Sequence, residues 1–265
     1  MLVVAGVDIG AKNVHAVVLS EAQVLGKARI PSGFDHEQAA EEGLQRALEA
    51  AGASLGDLVA LAATGAGRKA LGRASEQPTE IAAGARGAYF LRPDVKTVVD
   101  IGADEARVIR LGEEGKILDF AVNDRCAAGT GAFVEAISRA LELPVDEFGR
   151  LSLESTQVIS MNAQCAVFAE SEVVSLIHAN TPPADIARAV HDAMAARVST
   201  LVRRVGLEEP VLLGGGVALN VGFVKALREA LGGVEVLVPE CAEYLGALGA
   251  ALIAWDAYRE QQRMR

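Results

Sequence analysis

The sequence predicts an α/β protein of two duplicated βββαβα lobes. Val7-Asp8-Ile9-Gly10 near the start and Val99-Asp100-Ile101-Gly102 in the middle are copies of one device, each set between apolar runs. The same shift superposes Val17 on Ile109 and Leu19 on Leu111, so whole strand-turn-strand units correspond and the chain is internally duplicated. At 265 residues it also reaches the size at which a single core stops growing. The expected lobes are residues 1–95 with 243–265, and residues 96–242.

Val3 to Val7, Val14 to Leu19 and Gln23 to Ile30 read as three strands, with turns at Gly10 to Asn13 and Ser20 to Ala22. Ala40, Leu44, Ala47 and Leu48 then recur at helical spacing, which predicts a helix over His36 to Ala51 that Gly52 stops. Leu58 to Thr64 is a strand, and Glu80 to Leu91 a helix before Pro93. The second half repeats the order, with strands at Thr97 to Asp100, Ala106 to Leu111 and Lys116 to Asn123. A helix follows from about Thr130 to Leu143, and another begins just after Cys165 and runs to about His178. An apolar stripe through Ile186, Val190, Met194 and Val198 marks a long helix over Pro183 to Val205. Pro210 to Leu213 is a strand entering Gly214-Gly215-Gly216, and Leu245 to Glu260 is a final helix that should pack back on the first lobe.

Composition excludes several classes. Apolar residues make up 51% and charged ones 23%, enough for buried cores and against long disorder. A net charge of −10 with 4% aromatic residues opposes a nucleic-acid partner. The first residues lack a signal peptide's basic flank, and glycines and charges interrupt every apolar stretch, so neither export nor a membrane span is expected. A cytoplasmic protein follows, and its three cysteines would stay reduced.

Each duplicated unit ends an apolar strand in a carboxylate and a glycine turn. Backbone N–H groups there can approach an anion while the carboxylate holds a hydrated divalent cation. Two such turns plus a strand ending in glycines are the parts of an actin-like (ribonuclease H-like) ATPase fold, with its lobes around a nucleotide cleft. On this reading Asp8 and Asp100 hold Mg2+ through water, Gly10 and Gly102 approach the phosphates of ATP, and Gly214, Gly215 and Gly216 lie against adenosine. Neither G-x-G-x-x-G after the first strand nor G-x-x-x-x-G-K-[ST] is present, which removes the Rossmann and P-loop alternatives.

Cys126 in Asn123-Asp124-Arg125-Cys126-Ala127-Ala128-Gly129-Thr130-Gly131 and Cys165 in Gln164-Cys165-Ala166-Val167-Phe168-Ala169-Glu170-Ser171-Glu172 both precede helices. The helix dipole favours thiolate there, although small buried core residues are the commoner fate of free cysteine. A cubane cluster takes four cysteines, more than this chain holds, so a two-fold dimer giving Cys126 and Cys165 from each copy would complete one. Cys241 reads as structural. His178 and His191 have no second ligand at metal spacing and read as ordinary helical histidines, while Glu170 and Glu172 complement a helix start.

These two runs, the glycine run at Gly214 with Ala218 and Asn220, and Gly246-Ala247-Leu248-Gly249-Ala250-Ala251 resemble the ATPase family of 2-hydroxyacyl-CoA dehydratase activators and benzoyl-CoA reductase ATP-binding subunits. The resemblance implies ATP hydrolysis coupled to delivery of one low-potential electron, a [4Fe-4S] cluster shared between two subunits, and Cys126 and Cys165 as its ligands. It also implies ferredoxin or flavodoxin as donor, a CoA-ester dehydratase or reductase as acceptor, and nucleotide contacts from Gly129, Gly131 and Asn220. The chain departs from the family in two places. Ala11-Lys12-Asn13 replaces a serine- or threonine-bearing first turn, so Lys12 is placed at the phosphates. The second turn reads Asp100-Ile101-Gly102-Ala103-Asp104-Glu105, where Asp104 stands for an amide and Asp104 and Glu105 are the candidates for orienting water. Ala103 keeps an N–H, but its Cβ restricts positive φ. The acidic turn leans toward the benzoyl-CoA reductase branch, in which the dimer partner is a related subunit rather than a second copy. The alternatives are an actin-fold small-molecule kinase without a cluster and a nucleotide-binding regulator.

Overall fold

The computed structural model describes residues 1–123, 129–161 and 166–264, so Cys126 and Cys165 lie outside the described residues. In chain order the strands are β1 (Val3–Ile9), β2 (Asn13–Ser20), β3 (Gln23–Pro31), β4 (Leu58–Thr64), β5 (Thr97–Ile101), β6 (Ala106–Leu111), β7 (Ile117–Asn123), β8 (Val211–Gly214) and β9 (Val236–Leu237). The helices are α1 (His36–Ala50), α2 (Glu80–Leu91), α3 (Gly131–Ala140), α4 (Val145–Leu151), α5 (Ala166–His178), α6 (Pro183–Val205), α7 (Val221–Ala230) and α8 (Leu245–Arg263). They form two compact units, one of Met1–Asp94, Gly112–Ile117 and Glu243–Arg265, the other of Val95–Leu111 and Leu118–Ala242.

The first unit is a sheet of order β3-β2-β1-β4. β1 pairs antiparallel with β2 and parallel with β4. A strand with neighbours on both sides and helices over its faces must be apolar throughout, and six of the seven residues of β1 are buried. Asp35 caps α1 by accepting from the Gln38 N–H at 3.0 Å. Leu44, Ala47 and Leu48 of that helix join Val14, Ala16 and Val18 of β2 in one core. On α2, Thr79 accepts from the Ala82 N–H at 3.2 Å.

α8 packs against α2, β1 and β4, and it does so backbone to backbone. A Cβ on Gly6 would lie 2.1 Å from the Ala247 carbonyl oxygen, and one on Gly249 1.7 Å from that of Ala83. The repeated small residues of Gly246-Ala247-Leu248-Gly249-Ala250-Ala251 are therefore a packing requirement.

The second unit has sheet order β7-β6-β5-β8-β9. β5 repeats the role of β1, antiparallel to β6 and parallel to β8. Phe133 of α3, Phe148 of α4 and Phe223 of α7 are fully buried beside Val190, Met194 and Val198 of α6. α6 starts with proline at its first turn and stops at Gly206, whose φ is +94°.

Three differences from the sequence reading stand out. α3 ends at Ala140 rather than near Leu143, because Glu142 turns to a φ of +56° and the Leu143 N–H bonds back to the Ser138 carbonyl at 2.9 Å. α4 and α7 lie where the sequence reading places no element, whereas the strand it expects before Cys241 is the two-residue β9. No helix among the described residues is long and apolar enough to cross a membrane.

Candidate nucleotide and phosphate site

The duplicated turns have the same hydrogen bond at their centre. In the first unit the Gly10 N–H donates to the Asn13 carbonyl at 3.1 Å, and in the second the Gly102 N–H donates to the Glu105 carbonyl at 2.9 Å. Ala11 and Lys12 are exposed, and Asn13 opens β2. Ser32 braces the first turn from β3's end: its N–H reaches the Lys12 carbonyl at 2.9 Å and its hydroxyl the Gly10 carbonyl at 2.6 Å.

The second turn is braced by the start of α3. The Gly131 N–H donates to the Gly102 carbonyl and the Ala132 N–H to the Ala103 carbonyl, each at 2.9 Å. In a trans peptide the C=O of one residue and the N–H of the next point in opposite directions. With both carbonyls turned to α3, the N–H groups of Ala103 and Asp104 point away from it. Successive N–H groups presented from one turn form an anion nest. Ala103 does not adopt a positive φ, so alanine replaces glycine there without strain. Asp104 is exposed, whereas Glu105 accepts from Arg107 at 2.6 Å.

Register supplies two glycines that the sequence treats unequally. Asp8 pairs with Thr64 and Asp100 with Gly214, so Gly65 after β4 is the counterpart of Gly215 after β8. Both have positive φ, +91° and +81°. A Cβ on Gly65 would lie 2.6 Å from Asp8 Oδ1, and one on Gly215 2.8 Å from Asp100 Oδ1. Each carboxylate thus rests on a glycine at the end of the neighbouring parallel strand. Asp8 rests on a second, Gly246, whose missing Cβ would be 2.4 Å from Oδ2. The sequence reading missed Gly65 because Thr64-Gly65-Ala66-Gly67 is not a continuous glycine run.

Gly131 is fixed by approach to the turn, its missing Cβ lying 3.1 Å from the Gly102 oxygen, and Gly129 by approach to the Asn123 amide at 2.7 Å. A Cβ on Gly216 would meet nothing within 4 Å, and this residue has no positive φ. Neither packing nor backbone strain demands glycine there.

Asn220 is turned inward. Its Oδ1 accepts from the Phe223 N–H at 3.0 Å, capping α7, and its Nδ2 lies 3.0 Å from His191 Nε2. The amide is engaged at both ends inside the unit, and so is the backbone, whose N–H donates to the Val217 carbonyl and whose C=O accepts from the Val224 N–H, each at 3.0 Å. Because the amide donates, His191 Nε2 is the unprotonated nitrogen. Burial of this histidine, 1% exposed, drives its pKa from the ordinary 6.5 to about 4.

The sign of the resulting pH dependence is set by the unfolded chain, which protonates first. Stability contributed by His191 is full above pH 6.5 and is lost as pH falls toward 4, by about 3 kcal/mol in total. Urea unfolding at pH 7, 5.5 and 4.5 should show this loss, and His191→Gln should flatten it.

Asp185, at the third position of α6, accepts from the Ser155 hydroxyl at 2.8 Å and from the Thr156 and Gln157 N–H groups at 2.9 and 3.1 Å. These bonds, led by that from Ser155, hold its carboxyl below the usual carboxylate range. It anchors the segment that continues to Cys165. Among the described residues no group of three histidine, cysteine or carboxylate side chains could hold a metal ion.

In the first unit His15 lies opposite Asp8 on β2, just as Arg107 lies opposite Asp100 on β6. Burial lowers the His15 pKa against the opposing pull of Glu243, whose Oε2 is 3.6 Å from Nε2. Glu243 also takes a 3.0 Å bond from Arg29. Neither His15 nor Arg107 was singled out in the sequence. The signal that could have found both is the duplication itself, since a basic residue occupies the same position in each copy.

Known proteins resemble this chain in sequence and fold. The chain is 36% identical to the 2-hydroxyisocaproyl-CoA dehydratase activator of Clostridioides difficile, over 97% of each. It is 34% identical to a benzoyl-CoA reductase subunit of Thauera aromatica, over 100% of this chain and 96% of that one. The structure of the Clostridium difficile activator with bound ADPNP superposes with a TM-score of 0.94 at 35% identity, covering 100% of this chain and 98% of the other. The fold is the actin-like ATPase fold. A model of the BadF/BadG/BcrA/BcrD ATPase family matches residues 5–254, and the chain belongs to that family.

Proposed function

We propose that this chain is the ATP-hydrolysing iron-sulfur component that delivers a low-potential electron to a CoA-ester dehydratase or reductase. It takes the electron from ferredoxin or flavodoxin in the cytoplasm and works as a dimer, homomeric or with a related subunit. The duplicated carboxylate-glycine turn, with its N–H groups turned away from α3 in the second copy, carries this reading. Two relatives, one named as an activator and one as a reductase subunit, and an activator structure with bound ADPNP support it.

The residues fit the groups proposed. Asp8 and Asp100 are hard oxygen donors suited to Mg2+ held through water. The backbone of Gly10, Ala11, Lys12 and Asn13, and of Gly102 and Ala103, suits phosphate, and the Lys12 ammonium adds charge. The space beside Gly216 suits a nucleoside. Since Arg107 engages Glu105, the exposed Asp104 is the carboxylate left to orient water. Bound Mg2+ and ATP supply a charge-neutralising ion and a transferable phosphoryl group.

Cys126 and Cys165 are half the thiolate set of a cubane, and a second subunit would furnish the rest. Such a cluster supplies one-electron chemistry. α5, which follows Cys165, leaves Phe168 70% exposed and Val174 44% exposed, apolar surface of the kind a second subunit covers. The turn that holds Asp100 is hydrogen-bonded to the start of α3, and α3 follows the Cys126 segment directly in sequence.

The test is anaerobic purification followed by iron and sulfide analysis. About four irons per dimer are expected. Cys126→Ser or Cys165→Ser should remove most of the iron while ATP affinity stays within about threefold. An iron-free parent protein that still binds ATP would move the assignment to the kinase reading.

A further inference from the structure

We propose that Arg107 is a positioning residue of the second turn: it clamps Asp100 and Glu105 together and thereby sets how the turn presents its carboxylate to a hydrated divalent cation. The inference deepens the ATPase reading above and rests on it. One guanidinium nitrogen, Nη1, lies 3.4 Å from Asp100 Oδ2, and the other, Nη2, lies 2.6 Å from Glu105 Oε2. The fork therefore bridges the first and last residues of the hairpin turn, Asp100 at the end of β5 and Glu105 before β6.

Three other bonds hold the same turn, from Gly102 N–H to Glu105 and from Gly131 and Ala132 N–H to its carbonyls. All three fix backbone, and none touches the Asp100 side chain. Arg107, by contrast, reaches the carboxylate itself. Its side chain is 14% exposed and that of Asp100 12%, so the pair is shielded from solvent screening. The guanidinium offsets part of the negative charge of Asp100 and Glu105, which lets the two carboxylates stand together at one end of the turn. The planar fork matters, because a single ammonium cannot reach both carboxylates with the same geometry.

Arg107 belongs to the scaffold by placement as well. It is the direct cross-strand neighbour of Asp100, at the spacing of about 4.5–5.5 Å that such pairs keep between Cβ atoms. The duplicated copy puts His15 at the equivalent place opposite Asp8. The position opposite the turn carboxylate thus holds a nitrogen-bearing side chain in both halves, arginine in one and histidine in the other.

The experiment compares Arg107→Gln and Arg107→Lys with the unmodified chain, measuring ATP hydrolysis against Mg2+ concentration, ATP affinity without Mg2+, and the melting temperature. Arg107→Gln should lower kcat by about 10–100-fold and raise the Mg2+ needed for half-maximal rate several-fold, with metal-free ATP affinity within about twofold. Arg107→Lys, which keeps the charge but not the fork, should recover part of that rate, standing between the glutamine variant and the parent. Parental kcat and Mg2+ dependence in Arg107→Gln would overturn the proposal. So would a lysine variant no better than glutamine, or a metal-free ATP affinity that falls in step with kcat, which would mark a nucleotide contact. If the glutamine variant does not fold, Arg107→Met, which keeps the packing stem, takes its place with the same outcomes. Absence of ATP binding by the unmodified chain would instead overturn the reading of the turns.

Discussion

Gly215→Ala is expected to unfold the second unit several degrees early and to abolish nucleotide binding. Gly215 sits at φ +81° and ψ 172°, a region that essentially only glycine occupies. An added Cβ would also lie 2.2 Å from the Ile101 carbonyl oxygen and 2.8 Å from Asp100 Oδ1. Backbone strain and overlap together should cost about 3 kcal/mol or more, a fall in Tm of about 6–12 °C for a unit of this size. Displacing Asp100 should weaken Mg·ATP binding by at least about 100-fold. Gly65→Ala should behave alike through Asp8. Gly216→Ala separates the two effects: its Cβ meets nothing, so the melt should not move, yet nucleotide affinity should drop if adenosine occupies that space. Calorimetry with nucleotide titration checks all three, and an unchanged melt and affinity in Gly215→Ala would refute the strain argument.

Gly249→Ala should destabilise the first unit by about 3 kcal/mol or more, although it adds one methyl group to a helix and improves helix propensity. The reason is that the methyl would lie 1.7 Å from the Ala83 carbonyl oxygen and 2.6 Å from the Ala83 carbonyl carbon. Backbone atoms cannot rotate aside, so α2 and α8 must separate along their contact. Gly87→Ala, 2.6 Å from the Leu245 oxygen, should follow it. Gly72→Ala is the control: its Cβ would meet nothing and it lacks positive φ, so it should be neutral within about 0.5 kcal/mol. Urea midpoints of the four proteins decide the matter, and equal losses at Gly249 and Gly72 would remove the packing argument.

Much of the scaffold was legible because the duplicated Val-Asp-Ile-Gly turns fix the strands on either side, and strand order in both units follows from β1 and β5. What was not legible has specific causes. Asn220 was considered for the nucleotide alone and not as a cap, so α7, a ten-residue helix carrying Phe223 and Leu227, went unread. Arg107 and Gly65 escaped because their meaning lies in pairing across strands, through Asp100 and Asp8, and pairing is not written in local spacing. Gly131 shows the converse: a glycine singled out for the nucleotide has, besides, a steric reason in the approach of α3 to Gly102. Cys126 and Cys165, the residues with the most specific sequence signal, lie outside the described residues.

The backbone contact between Gly6 and α8 joins residues from the two ends of the described chain. At ribosomal rates of about 5–20 residues per second, β1 emerges on the order of ten seconds to a minute before the helix that seals it. The second unit, whose residues all precede 243, can close in that interval, while the first waits with a glycine-floored trough open beside β1 and α2. Chains truncated before residue 243 should therefore hold a protease-resistant second unit and a digestible first one, with α8 acting as the latch of a strand made far earlier.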